Sequence, residues 1–265
     1  MITTLFQRLI NAFEYTWKPG AIIDGFQINH LVGKGSYGTT YSVTLQNGEE
    51  AILKRIRPYK KLFSDHVQYV RNERDALQTL SHPSFPEFLR AGEHKGIPYL
   101  LMEKMNGRTF EELIFQEGKK YSEVESLLIV LQLVKLVDCI HHKGYVHRDL
   151  RIPNILLGDS GLQIIDFGLA CEMSSGSESL EKHKDHMRDK SKKSDFYAIG
   201  HFLLFLLYSS YEPRCNKEKS WEEELAIHQA TKDVLRRLLQ IDEEYHEGSE
   251  LIEDVKRVLG RLKAR

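Results

Sequence analysis

From Phe26 to Arg57 β-branched and aromatic residues alternate with polar ones, interrupted by Gly33, Gly35, Gly38 and the pair Asn47-Gly48. Alternation of period two fits strands with one buried face, and Asn-Gly between such runs is a strong hairpin signal, so three antiparallel strands are predicted. A charged segment with a helical apolar face follows over about 65–80, stopped by Ser81-His82-Pro83, and then a strand pair ending at Glu103. After Gly107 the pattern becomes helical, with helices predicted over 109–116, 124–142, 194–209, 221–240 and 249–262. A small β-rich part joined near Glu103 to Gly107 to a larger helical part is the simplest architecture, an α+β class.

Leu5, Phe6, Leu9, Ile10 and Phe13 recur at helical spacing, so residues 1–19 read as an amphipathic helical extension closed by Lys18-Pro19-Gly20. Docking onto the protein's own body is the expectation for it, with a partner or a membrane surface as the alternative. The start lacks the apolar core and cleavage site of a signal peptide. The most apolar run, Phe202 to Tyr208, is broken by His201. With its neighbours it reaches only about a dozen residues, against the ~20 that span a bilayer. With 37 Lys and Arg against 38 Asp and Glu, no global field points to nucleic acid or an anionic surface. Cys139, Cys171 and Cys215 are odd in number and widely spaced, which fits neither a metal site nor a disulfide framework and suits a reducing cytoplasm.

The chemistry-bearing residues fall in a fixed order. Gly33-Lys34-Gly35-Ser36-Tyr37-Gly38 is a GxGxxG string, which dinucleotide-binding folds also use. Here β-type residues follow it and not a helix, giving a strand-loop-strand cover for phosphates. Lys54 ends the apolar run Ala51-Ile52-Leu53, and Glu73 sits in the charged helix. His147-Arg148-Asp149-Leu150-Arg151-Ile152-Pro153-Asn154 comes next, followed by Asp166-Phe167-Gly168. Singly, each has an ordinary explanation as a hairpin glycine, an edge lysine, a surface glutamate or a loop cap. As an ordered set they are hard to attribute to chance.

In these motifs the chain resembles the eukaryotic-type protein kinases, and is similar to small stand-alone bacterial serine/threonine members. The resemblance implies a bilobal fold, with an N-lobe over 20–104 and a C-lobe over 105–265, that transfers the γ-phosphate of ATP to serine or threonine hydroxyls of protein substrates. It implies Asp149 as base, Lys54 paired with Glu73, and Arg151 neutralising the phosphoryl group. Asn154 and Asp166 would hold magnesium, with manganese as the alternative ion. Gly33, Gly35, Gly38, Thr40, Ile52 and Leu156 would surround the nucleotide. Met102 would be the gatekeeper, with Glu103 to Met105 offering backbone groups to adenine. Asp195 would hold the catalytic-loop backbone.

Two departures stand out. Ile52 occupies a position that is usually Ala, facing the nucleotide beside Lys54 with Thr40 opposite, and narrows the roof over adenine. Between Asp166 and Asp195 the family's Ala-Pro-Glu anchor is absent, and the Arg that pairs with that Glu is replaced at its expected place by His246. Joint loss of both partners suggests a coherent shortened scaffold, since an unpaired survivor would be costly to bury. The segment is instead basic, with Lys182, Lys184, Arg188, Lys190, Lys192 and Lys193, and is expected to be a solvated loop, to dock acidic substrates, or to pair with phosphates on Ser174, Ser175, Ser177 or Ser179 after autophosphorylation. A kinase-fold enzyme for a small molecule and a catalytically silent scaffold remain as rival readings.

Overall fold

The computed structural model describes residues 16–35, 38–57, 64–173, 189–212 and 219–263. The chain divides into two compact units, Met1–Met105 and Asn106–Arg265. The helix expected over the first residues lies outside the described part, as do Ser174, Ser175, Ser177 and Ser179.

The first unit is a six-stranded antiparallel sheet in the order β1-β2-β3-β4-β6-β5, from β1 (Ile22–Ile23), β2 (Phe26–Lys34), β3 (Gly38–Thr44), β4 (Glu50–Ile56), β5 (Phe88–His94) and β6 (Ile97–Glu103). Helix α1 (Ser64–Thr79) packs against β4, β5 and β6. The three predicted strands are β2, β3 and β4. Gly48, at φ +87°, makes the turn between the last two and donates its N–H to the Leu45 carbonyl, which only a residue tolerant of positive φ does without strain. Period-two alternation sends Tyr41 and Val43 of β3 and Ala51 and Leu53 of β4 to one face, where they join Trp17, Phe26, Ile28 and Leu101 in a core. His94 at the end of β5 reaches Asp24 in the β1–β2 turn at 3.1 Å, so the two edges of the sheet are brought together and the sheet curls.

The second unit is mainly helical. Helix α2 (Glu123–His142) starts with a capping box in which Ser122 and Glu125 exchange side-chain bonds, and its buried residues, from Ser126 to His141, recur at steps of three and four along one face. It packs against α3 (Lys192–Tyr208) and α6 (Gly248–Lys263), and α5 (Gln229–Leu238) lies against α3 and α6. Among the described residues no helix is long and apolar enough to cross a membrane.

Two sequence expectations change. The helix predicted over 221–240 is two, α4 (Trp221–Glu224) and α5: Leu225 turns extended to bury its side chain, and the His228 ring then caps the next helix by accepting the Ala230 N–H. The segment over 109–116 is helical from Phe110 as expected, but Glu112–Gln116 form a π-helical turn and Thr109 closes a short strand, β7 (Arg108–Thr109). Strand β7 pairs with β9 (Ile155–Gly158), which pairs with β10 (Gly161–Ile164), and a second small ladder joins β8 (Tyr145–Val146) to β11 (Cys171–Glu172).

The β7–β9 contact is close enough to need glycine. A methyl on Gly158 would collide with the Asn106 carbonyl oxygen, and one on Gly107 would come within 2.9 Å of the Leu157 carbonyl oxygen. Neither neighbour is a flexible side-chain end that can move away. Gly158→Ala should therefore destabilise the fold by about 1–3 kcal/mol, read as a lowered urea midpoint at unchanged slope. An unchanged midpoint would show that the backbone relaxes at no cost.

Candidate active site

In the second unit the catalytic string is held from below by one carboxylate. Asp195, in the first turn of α3, is fully buried and accepts the backbone N–H groups of His147 at 2.9 Å and Arg148 at 2.7 Å. Its Oδ2 also lies 2.8 Å from Nε2 of His141, near the end of α2. Burial pushes this carboxyl up, but the bonds from His141 and His147 more than offset it and hold Asp195 below the ordinary carboxylate value. The bonds act at a strained point. Arg148 has φ +65°, a left-handed conformation that a non-glycine residue avoids unless its surroundings impose it.

The loop above this anchor presents Asp149. Its N–H donates to Nδ1 of His147 at 3.2 Å, and its carboxylate takes a two-pronged contact from Arg151, Nε to Oδ1 at 2.6 Å and Nη2 to Oδ2 at 3.0 Å. Asn154 donates its Nδ2 to both the carbonyl oxygen and the Oδ2 of Asp149, each at 2.9 Å. Asp149, Arg151 and Asn154 are thus one cluster. Asp166 has a left-handed backbone, φ 62° and ψ 71°, and its side chain caps the short turn Phe167–Leu169 through the Gly168 N–H. Phe167 is fully buried, with its ring 4.7 Å from that of His147. Asp166 and Asn154 supply a carboxylate and a carboxamide oxygen, a donor set that fits a hard divalent cation. Both Asn154 bonds to Asp149 use its nitrogen, so its amide oxygen points elsewhere.

In the first unit Lys54 and Glu73 form a buried pair, 2.9 Å apart, with Tyr69 adding its hydroxyl at 3.4 Å from the lysine. The β2–β3 hairpin carries the glycine string, with Gly35 donating its N–H to the Gly38 carbonyl at 3.0 Å. Thr40, expected opposite Ile52, is instead opposite Lys54. The register puts Ser42 beside Ile52 on one side and Met102 on the other. The Glu103 N–H is spent within the sheet, on the Glu87 carbonyl, so it is not among the groups the segment 103–105 can offer. Leu156 is buried in the second unit.

Three contacts were not legible in the sequence. His141 gave no signal of its role because its acceptor is 54 residues away. Lys192 and Lys193, read as part of a free basic strip, are paired with Glu247 at 2.6 Å and with Glu244. Near His246 an arginine from another element is engaged otherwise: Arg237 of α5 pairs with Asp254 at 2.8 Å and with Glu250, against the Tyr245 ring.

A model of the protein kinase domain matches residues 26–264. The chain belongs to the protein kinase family, a class of enzymes that use ATP, a divalent metal and protein substrates. Among its relatives it is similar to the probable serine/threonine-protein kinase YbdM of Bacillus subtilis, 32% identical with 98% of each chain covered. It is also similar to the probable serine/threonine-protein kinase PknB of Lactococcus lactis, 29% identical over 69% of this chain and 31% of that one. In fold it resembles the crystal structure of the Mycobacterium tuberculosis PknI kinase domain, with a TM-score of 0.69, 18% identity, and 92% and 99% of the two chains covered. The fold is the protein kinase fold, a curled β-sheet N-lobe and a helical C-lobe.

His147 gives the site a pH signature. It is fully buried, and burial lowers its pKa below 6.5, against the pull of Asp195, Asp149 and Asp166. The unfolded chain therefore takes up a proton that the folded chain refuses. The stability this group contributes is full above its unfolded pKa and is lost as pH falls below it, with a limiting slope of about 1.4 kcal/mol per pH unit. Melting temperature should drop between about pH 7.5 and pH 5.5, and drop less in His147→Asn, which keeps an acceptor for the Asp149 N–H but cannot be protonated. Parallel profiles for the two proteins would refute this assignment.

Proposed function

We propose that this chain is a serine/threonine protein kinase that transfers the γ-phosphate of ATP, bound with magnesium or manganese, to protein hydroxyls. The observation that carries the reading is the Asp149 cluster: a carboxylate fixed by its own loop, in a family whose members phosphorylate proteins. The likeness to YbdM over nearly the whole of both chains supports serine and threonine as acceptors. A cytoplasmic setting is supported by Cys139, an exposed free thiol.

In this reading Asp149 orients the acceptor hydroxyl and takes its proton, and Asn154 and Arg151 keep that carboxylate in one rotamer. Arg151 is more than half exposed while its partner is mostly covered, so it can leave Asp149 to meet incoming phosphoryl charge at little cost. Lys54 is steered by Glu73 toward the nucleotide phosphates. Asp166 and Asn154 would hold the cation, which supplies charge neutralisation at the phosphates. Gly33, Gly35 and Gly38 let the hairpin backbone approach them. The Glu103 carbonyl and the Met105 peptide would meet adenine, with Met102, Ile52 and Leu156 bounding it.

Asp149→Asn keeps an acceptor for Arg151 but no base, and should lower the phosphorylation rate at least about a hundredfold while leaving the thermal shift by MgATP in place. Equal labelling of casein by the two proteins from radiolabelled ATP would refute the mechanism. Lys54→Met is the poorer probe. It removes the charge beside a buried carboxylate, so a change in stability would accompany the loss of activity.

Ile52 should modestly weaken ATP binding, because it lies next to Met102 on the strand that carries Lys54. Ile52→Ala is expected to lower the Kd for ATP about two- to fivefold. No change, or a loss of affinity, would remove the idea.

A further inference from the structure

We propose that Trp17 is a positioning residue for the nucleotide-binding strands, acting through Arg55 and Tyr41. Arg55 follows Lys54 on β4, and strand alternation turns it to the opposite face, the core face shared with Leu53 and Ala51. A guanidinium on that face must be compensated where it lies, for it is only 3% exposed. Trp17 supplies part of that compensation. The Arg55 guanidinium carbon lies 4.3 Å from the Trp17 ring centroid and 5.6 Å from that of Tyr41, a cation within reach of both rings and nearer to the tryptophan.

The same three residues are joined through one oxygen. The Tyr41 hydroxyl accepts the backbone N–H of Trp17 and an Arg55 Nη2 hydrogen, both at 3.2 Å. The rings of Trp17 and Tyr41 are 5.2 Å apart, and that of His94 meets Trp17 edge-on at 5.8 Å. Trp17 therefore touches β3, β4 and the end of β5 at once.

Its place relative to Lys54 gives the cluster a function. Thr40 is paired with Lys54 and Tyr41 with Leu53, so each of the two residues that Trp17 grips is the immediate chain neighbour of one member of the Thr40–Lys54 pair. Adjacent strand residues cannot shift independently. A displacement of Arg55 or Tyr41 passes directly to Lys54 and to the strand that begins at Gly38. Trp17 lies outside every strand, five residues ahead of β1. The grip on the phosphate-binding strands is in that way supplied by a segment that is no part of the sheet.

The inference rests on the reading of Lys54 as the phosphate-binding lysine, and the test separates the two. With the full chain, MgATP and casein, Trp17→Leu should raise the KM for ATP about three- to tenfold, the size of one desolvated cation–π contact, with the KM for casein unchanged. Arg55→Lys, which keeps the charge and loses the planar face, should do the same. The double variant should be no worse than the more affected single, because both remove one contact. A merely structural role would lower the active fraction, hence kcat, and leave both KM values alone. Should Trp17→Leu fail to fold, Trp17→Phe retains a smaller ring and is expected to raise the KM for ATP about twofold. Normal KM values for ATP in the folded variants, beside wild-type transfer that Asp149→Asn abolishes, would overturn the inference and leave the proposed function standing. A wild type that neither binds MgATP nor labels casein would overturn both.

Discussion

Asp195 carries no chemistry of its own, yet the catalytic loop depends on it. A carboxylate removed from water costs several kcal/mol unless its lone pairs are met, and here three donors meet them: two successive backbone N–H groups and the His141 ring. The two backbone donors belong to His147 and Arg148, and satisfying them holds Arg148 in a conformation it would not adopt alone. With Arg148 fixed, the next peptide is aimed, and Asp149 emerges where Arg151 and Asn154 can seize its carboxylate. The anchor sits in α3, a helix buried along most of its length, so it is as rigid as anything the unit contains.

The N-lobe solves a similar problem with a different device. Its lysine is oriented by a buried ion pair with Glu73, which strand geometry alone would not fix, while the neighbouring residue on the strand places a second cation on the opposite face among aromatic rings. Two buried cations in adjacent positions of one strand would repel each other in an apolar medium. Each is compensated on its own side of the sheet, Lys54 by a carboxylate and a tyrosine hydroxyl, Arg55 by ring faces and another tyrosine hydroxyl.

What the sequence made legible was local in character. The hairpin through Asn47-Gly48, the strands on either side, the long helices and the ordered set of chemical residues all follow from period, turn chemistry and spacing over a few residues. The break at Leu225 was hidden because its cause, burial of one side chain and a histidine cap, leaves the helical period on both sides intact. The strand at Arg108–Thr109 was hidden because its partner lies some fifty residues on. The Asp195–His141 bond, the Arg237 cluster and the pairing of Lys192 and Lys193 were out of reach for the same reason: charge written along a chain does not say which carboxylate will be brought beside it. The basic character of 190–193 thus suggested openness, whereas two of its lysines are already engaged.

Those two lysines set a limit on exchange between relatives. Where the family resemblance calls for an acidic anchor meeting an arginine, this chain has cations at the start of α3 and the acids Glu244 and Glu247 ahead of α6. The polarity of the tether is reversed. A segment ending in the family's usual glutamate, spliced in before α3, would bring like charge against Glu244 and Glu247, and a native segment moved into a relative would meet the reverse mismatch. The first residues of α3 and the loop before α6 have therefore to change together, as a lock and key cut to one pattern.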